Sequence, residues 1–269
     1  MGSTVWKGHL SFGLVALPVK ICCAARKDSI SFNQLRSSDL TRVGSQNYSK
    51  ADGKILKPDE IVKGYEIEKD KFVVVTPEEL KTCAPESSRT MEITEFVDAA
   101  SIDPVYLETS YFIAPDDGGA KPYALLYQTL KKTKKAGLAR LVMGNQEHVV
   151  VIRTGPRGLL LHTLFYSNEV RSADEYATDL SAVSEKELAL AKSLVEALTE
   201  EKGYDPAQYA DSYREEILAL IATKKAGTAA PAAKKPPTRS PVSDLNEALA
   251  ASLKAAQAKA QTKKKGKVA

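Results

Sequence analysis

The sequence is short of the residues that build covalent and metal frameworks: its 269 residues include three cysteines, three histidines and one tryptophan. Cys22 and Cys23 adjoin in an apolar run, where they read as small hydrophobes of a strand, and Cys83 stands alone. So small and odd a set excludes a disulfide framework. There is no Cys-x-x-Cys, which excludes a zinc ribbon. His9, His148 and His162 all lie in strand-like runs that call for structural histidines. Gly-x-Ser-x-Gly, a helix-opening Gly-x-Gly-x-x-Gly and His-Glu-x-x-His are missing. Asp116-Asp117 sits on a Gly-rich turn and reads as loop-shaping rather than Mg²⁺-binding. The expectation is a protein that is not an enzyme, with no cofactor and no metal. Absent too are an apolar run of about 18 residues and a basic N-terminal region leading into an apolar signal core. A cytoplasmic chain with no membrane partner is expected.

What is present is a chain 43% hydrophobic, enough to bury a real core, with a net charge of +4 that conceals a sorted distribution. From Ala226 onward nine Lys or Arg face Asp244 and Glu247, a net of +7, so the body carries −3. Within the body, Lys121 to Arg140 holds six bases and no acid, and Lys20 to Lys63 nine bases against five acids. Phe165 to Thr223 reverses this, with thirteen acids against five bases. Two basic segments and one acidic one predict a polarised surface.

The first residues, Val5 to Ile21, are β-branched and aromatic, alternate locally and are interrupted by Gly and Pro, the pattern of bent strands in a curved sheet. Ile30 to Leu35 offers a further short alternating piece. Between Arg36 and Lys63 apolar residues thin out, and Arg36, Arg42, Lys50, Lys54, Lys57 and Lys63 are interleaved with Ser, Gly, Asn and Tyr48. Such a segment is either a solvated excursion or a basic arm that follows phosphates. A strand is expected at 71–75, then a helix capped by Thr76 with Pro77 first and Glu79 reaching back. Strands at 90–98 and 105–114 lead to a helix from Lys121 to Ala136, ended by Gly137. Lys131, Lys132, Lys134 and Lys135 in its last turn either complement the helix dipole or, with Arg140, form a phosphate-facing edge. Strands at 138–143, 148–153 and 159–165, joined by two tight turns, suit barrel closure.

After Arg171 the period changes. Ser184-x-x-Glu187 is a capping box opening a helix that Gly203 stops, and Asp205-Pro206 opens another with Tyr209, Tyr213, Ile217 and Ile221 on one stripe. Beyond Ala226 the Ala-, Pro- and Lys-rich composition cannot repay its ordering entropy, so a flexible extension is expected over 226–269. Within it, the stripe Leu245, Leu249, Leu253 is too short for a stable isolated helix. Its end, Lys263, Lys264, Lys265 and Lys267, is a sequence-independent phosphate contact by type.

The opening Trp6-Lys7-Gly8-x-x-Ser11-Phe12-Gly13-Leu14-Val15-x-x-Pro18-Val19-Lys20 closely resembles that of the bacterial Ku proteins, DNA-end-binding factors of non-homologous end joining. The likeness continues at Asp59 to Glu66, Thr94 to Val97, Ile102-Asp103-Pro104, Tyr204 to Tyr209 and Tyr213-Arg214-Glu215, covering roughly residues 3–225. The resemblance implies a mixed, mainly β fold: a Ku-type β-barrel over 1–170 with an inserted DNA-encircling bridge at about 30–65, then a helical region over 171–225. It implies a nucleoid-associated homodimer that closes a ring on double-stranded DNA ends without reading sequence and recruits a D-type DNA ligase. Some relatives carry cysteine pairs near Arg42 to Tyr48, which this chain lacks. The acidic helical region, through Tyr209, Tyr213, Glu215, Glu216 and Ile217, is where the ligase is expected. Two other readings stand beside this one: a nucleic-acid-coating protein working through the Lys-rich tail, and a protein-interaction scaffold.

Overall fold

The computed structural model describes residues 3–83, 85, 89–144, 146–179, 183–199, 203–227, 248–255 and 257. The chain divides into two compact units, Met1–Ser172 and Ala173–Ala269.

The first unit is built on a closed barrel of seven strands. Strands β1 (Thr4–Phe12) and β2 (Val15–Cys23) form a hairpin; β3 (Lys63–Glu68) and β4 (Lys71–Val75) form a separate two-stranded ribbon, followed by helix α1 (Pro77–Cys83). Then come β5 (Thr90–Asp98), β6 (Leu107–Pro115), helix α2 (Ala120–Thr133) and the meander β7 (Lys135–Met143), β8 (Gln146–Thr154) and β9 (Leu159–Leu164). Around the barrel the order is β1-β2-β6-β9-β8-β7-β5. Closure is made by β5 lying parallel to β1, His9 opposite Thr90 and Leu10 opposite Met91. The other barrel pairings are antiparallel. The alternating apolar positions point inward and are fully or nearly buried: Leu17, Val19 and Ile21 on β2, Met91 and Ile93 on β5, Leu141 on β7, Val150 and Ile152 on β8, Leu159 and Leu161 on β9. This is the period-2 pattern that commits one face of each strand to a core.

Helix α2 contributes Leu126 and Leu130 to that core and joins it to the barrel backbone by two tyrosines. Tyr123 donates its hydroxyl to the Ile113 carbonyl (2.9 Å) and accepts the Leu159 N–H (2.8 Å); the Tyr127 hydroxyl donates to the Gly155 carbonyl (3.2 Å). The helix ends earlier than the sequence pattern suggests. Lys134 takes the left-handed conformation (φ 56°) that stops it, and Lys135 is already the first residue of β7, paired through Nζ with Asp98 on β5 at 2.8 Å. Gly137 is therefore no helix stop. It lies in β7 under Ile93 and Phe96, where an added Cβ would sit 3.0 Å from Ile93 carbons, so its missing side chain serves the close β5–β7 approach.

Two polar clusters complete the unit. Lys7 and Lys20 lie directly opposite each other on β1 and β2, a like-charge pair that costs stability unless neutralised. Asp116 supplies that neutralisation, 2.6 Å from Lys7 and 3.6 Å from Lys20. The Lys7 contact holds its carboxyl below the usual range. Buried His162 lies between the Ser110 hydroxyl (2.8 Å, Nδ1) and Arg153, whose Nε donates to Nε2 at 3.0 Å. Accepting that bond fixes the imidazole neutral with its proton on Nδ1. Burial first, and the neighbouring guanidinium second, lower its pKa.

In the second unit, α3 (Glu185–Leu198) starts at the expected capping box: Ser184 Oγ accepts the Glu187 N–H (3.4 Å) and the Glu187 carboxylate accepts the Ser184 N–H (2.9 Å). Helix α4 (Ser212–Lys225) starts later than expected. Asp205-Pro206 opens only the single 3-10 turn Pro206–Gln208, and Asp211 caps α4 by accepting the Arg214 N–H at 3.0 Å. Residues 248–255 are helical, with Leu249 and Leu253 half-buried. Leu245 lies outside the described residues.

Candidate nucleic-acid interface

Residues 24–89 form an insertion that leaves the barrel where β2 ends and returns where β5 begins. None of its described residues from 25 to 83 is buried. A chain this exposed must satisfy its backbone locally, and it does so with two turns of the same construction. In the first, Val43 N–H donates to the Gln34 carbonyl (2.9 Å), Arg36 N–H to Thr41 (2.9 Å) and Leu40 N–H to Arg36 (2.9 Å). In the second, displaced by thirteen residues, Leu56 donates to Asn47 (2.9 Å), Ser49 to Lys54 (2.8 Å) and Gly53 to Ser49 (2.9 Å). The isolated bridges Leu35–Arg42 and Tyr48–Ile55 correspond, as do the left-handed residues Leu40 (φ 58°) and Gly53 (φ 72°).

Each turn has an aspartate at the same place. Asp39 accepts the Thr41 N–H (3.2 Å) and hydroxyl (2.8 Å) and binds the Arg36 guanidinium through both carboxylate oxygens, with Nε 3.0 Å from Oδ1. The arginine, then Thr41, holds that carboxyl far below the usual range. Asp52 accepts the Lys54 N–H (3.3 Å) and pairs with its Nζ (3.2 Å), and its carboxyl is lowered first by Ser49 and then by Lys54.

The basic residues picked out in the sequence are thus of two kinds. Arg36 and Lys54 are neutralised by the aspartate of their own turn, whereas Arg42, Lys50, Lys57 and Lys63 are exposed with no ion pair among the described residues. Arg26, Lys27 and Arg89, which no sequence pattern singles out, are exposed at the two roots of the insertion, and the Arg89 carbonyl accepts the His9 N–H at 2.7 Å. Strand direction alone would have placed them there, had the β1–β5 pairing been foreseen.

The lysines of α2 do not join this group. They lie at the barrel end where β5, β6 and β8 finish, opposite the end from which the insertion leaves. Lys131 and Lys132 are exposed in the last turn, Lys131 over the Tyr127 ring at 5.7 Å. Lys134 caps the helix, Lys135 is paired with Asp98, and Arg140 on β7 is paired with Glu147 at 2.9 Å. Lys263, Lys264, Lys265 and Lys267 fall outside the described residues. A concavity of about 740 Å³ beside Phe112, Tyr123, Pro156 and Leu160 is mainly apolar; Arg157 lines it and none of the cations above does. Among the described residues no group of three or more His, Cys, Asp or Glu is placed to hold a metal ion, and no helix is long and apolar enough to cross a membrane.

The residues assigned to a protein partner are also partly rearranged. Tyr213, Glu215 and Glu216 are exposed on the first turns of α4, with Ile217 half-buried beside them. Tyr209 is not on that helix; it precedes it and packs on Tyr204, ring centroids 5.6 Å apart.

A family model described as the Ku70/Ku80 beta-barrel domain matches residues 11–190, from the end of β1 through the rest of the barrel and the insertion to the first turns of α3. The chain belongs to the Ku family. A non-homologous end joining protein Ku of Koribacter versatilis is 44% identical over 255 residues, covering 95% of this chain and 87% of the relative. The corresponding protein of Solibacter usitatus is 43% identical, with 96% of each chain covered, and that of Bacillus subtilis is 37% identical over 93% of this chain and 81% of its own. Among solved structures, the SPOC domain of human PHD-finger protein 3 matches 60% of this chain and 95% of its own at 14% identity and a TM-score of 0.31. The mainly β, closed-barrel architecture expected for a Ku chain is the one observed.

Proposed function

We propose that this chain binds double-stranded DNA ends in non-homologous end joining, as a homodimer whose two insertions close a ring around the duplex. The observation that carries the reading is the insertion itself, in a chain similar over nearly its whole length to proteins named for end joining. Residues of about 30–65 form an arm with no core of its own, lined with unpaired cations, which suits contact with phosphates rather than with bases. The ribbon that follows supports a second copy of the chain. Tyr65, Phe72, Val73 and Val74 on β3 and β4 are half or more exposed, or nearly so, and an isolated two-stranded ribbon is marginal in water. A matching ribbon from a partner would cover them about a two-fold axis. In this reading the barrel is the body, 171–225 the recruiting region for a D-type ligase, and 226–269 a basic extension that adds sequence-independent affinity.

The deciding comparison is between linear duplex and the same DNA as a covalently closed circle. A threaded ring retains the linear form and leaves the circle free, while sedimentation gives a mass twice the 29.1 kDa of the chain. Equal binding to both forms would point to a tail-driven coat, and binding to neither to a scaffold.

Recruitment is assigned to the exposed acidic start of α4. Replacing Glu215 and Glu216 by Lys is expected to leave dimer mass and end binding near normal while reducing stimulation of the cognate ligase in a joining assay. Loss of all three together would make α4 part of the dimer instead.

A further inference from the structure

The two turns at 34–43 and 47–56 are structural copies of one another, although their sequences share little beyond the aspartate. Three backbone hydrogen bonds, one bridge, one left-handed residue and one aspartate-to-backbone bond recur thirteen residues apart. Two copies of so specific an arrangement, in a segment with no buried residue to shape it, identify the aspartate as what holds the turn in place. Its position in a basic arm is otherwise unaccounted for, because a carboxylate there repels the polyanion the arm is assigned to bind.

We infer that Asp39 and Asp52 are positioning residues for DNA binding: each locks its turn so that the unpaired cations beside it, Arg42 in the first and Lys50 in the second, are held towards successive parts of the phosphate backbone. The inference rests on the DNA-binding reading above. It adds that the arm is a preorganised device of two repeated modules rather than a flexible cationic strand, so part of its ordering entropy is spent before DNA arrives. Leu40 shows the lock at work. A leucine held at φ 58° is disfavoured by its own backbone, and the Asp39–Thr41 bonds directly beside it are placed to maintain it.

The test uses the full-length chain on linear duplex DNA and exploits a reversal of sign. Asp39→Ala removes a negative charge, so charge alone would tighten binding and steepen the salt dependence by up to about 0.9 per added phosphate contact. The positioning role requires the opposite: affinity falls about tenfold, as it would if only about one tenth of the arms stood in the competent conformation. Asp39→Asn changes the charge equally but keeps an oxygen able to accept the Thr41 N–H and hydroxyl, and is expected to recover most of the loss. Asp52→Ala repeats the experiment in the second module and decides the matter should the first variant misfold. Tighter binding by either soluble alanine variant, or equal behaviour of Asp39→Ala and Asp39→Asn, overturns the inference. A wild-type chain that does not bind linear DNA overturns the DNA-binding reading itself.

Discussion

Gly8→Ala is expected to disrupt barrel closure and cost about 3 kcal/mol or more, the upper range for overpacking a close-packed site. A Cβ at position 8 would lie 2.1 Å from the Arg89 carbonyl oxygen and 2.5 Å from the Trp6 ring. The ring can swing aside. The carbonyl cannot retreat cheaply, because it accepts the His9 N–H at the point where β5 joins β1, so the methyl group pushes apart the only parallel pair of the barrel. Gly44→Ala is the control: its Cβ would meet nothing within 4 Å, and its effect should stay within about 0.5 kcal/mol. Urea unfolding followed by circular dichroism measures both, and equal midpoints would show that the close approach at Gly8 is not structurally required.

Neutralising Arg42, Lys50 and Lys57 together, each to Gln, is expected to have the largest effect on DNA binding. In a homodimer this removes up to about six phosphate contacts, so the slope of log affinity against log salt should become shallower by about 5. The affinity at low salt falls accordingly, with no change in dimer mass. Arg36 and Lys54 are left intact because their charge is already taken by Asp39 and Asp52. An unchanged slope would move the phosphate contacts elsewhere, with Lys131 and Lys132 the next cations to test.

The barrel strands were legible in the sequence because each buries one face, so Met91 and Ile93 alternate with Glu92 and Thr94 whatever lies beside them; β3, exposed along its whole length, carries no such signal, and the alternating piece at Ile30 to Leu35 forms no strand beyond the Leu35–Arg42 bridge. Capping was legible for the same local reason: Thr76 with Glu79, and Ser184 with Glu187, are complete in four residues. What escaped were features set by distant partners or by conformation without composition. The β1–β5 pairing joins residues some eighty positions apart, and nothing near His9 or Thr90 announces it. Lys134, a lysine in the left-handed region, gives no composition signal for the helix stop that Gly137 seemed to offer. Asp205 and Asp211 are both acceptable helix caps, and only the chain around them decides that the second starts α4. The repeated turn is invisible for a further reason: Leu40 and Gly53, or Arg36 and Ser49, are equivalent in backbone geometry and unrelated in side chain.

Because β5 closes directly onto β1, the barrel shuts without help from the insertion, which hangs outside the closed circuit of strands. Its turns are closed by their own hydrogen bonds, so a change of length in the flexible connections between them costs the body little, about 0.6 kcal/mol for each doubling. If the insertion forms the rim of a ring, the width of the aperture is an adjustable dimension. Residues added between Cys23 and Thr90 would widen it, and residues removed would narrow it, with the barrel that bears the arm left as it is.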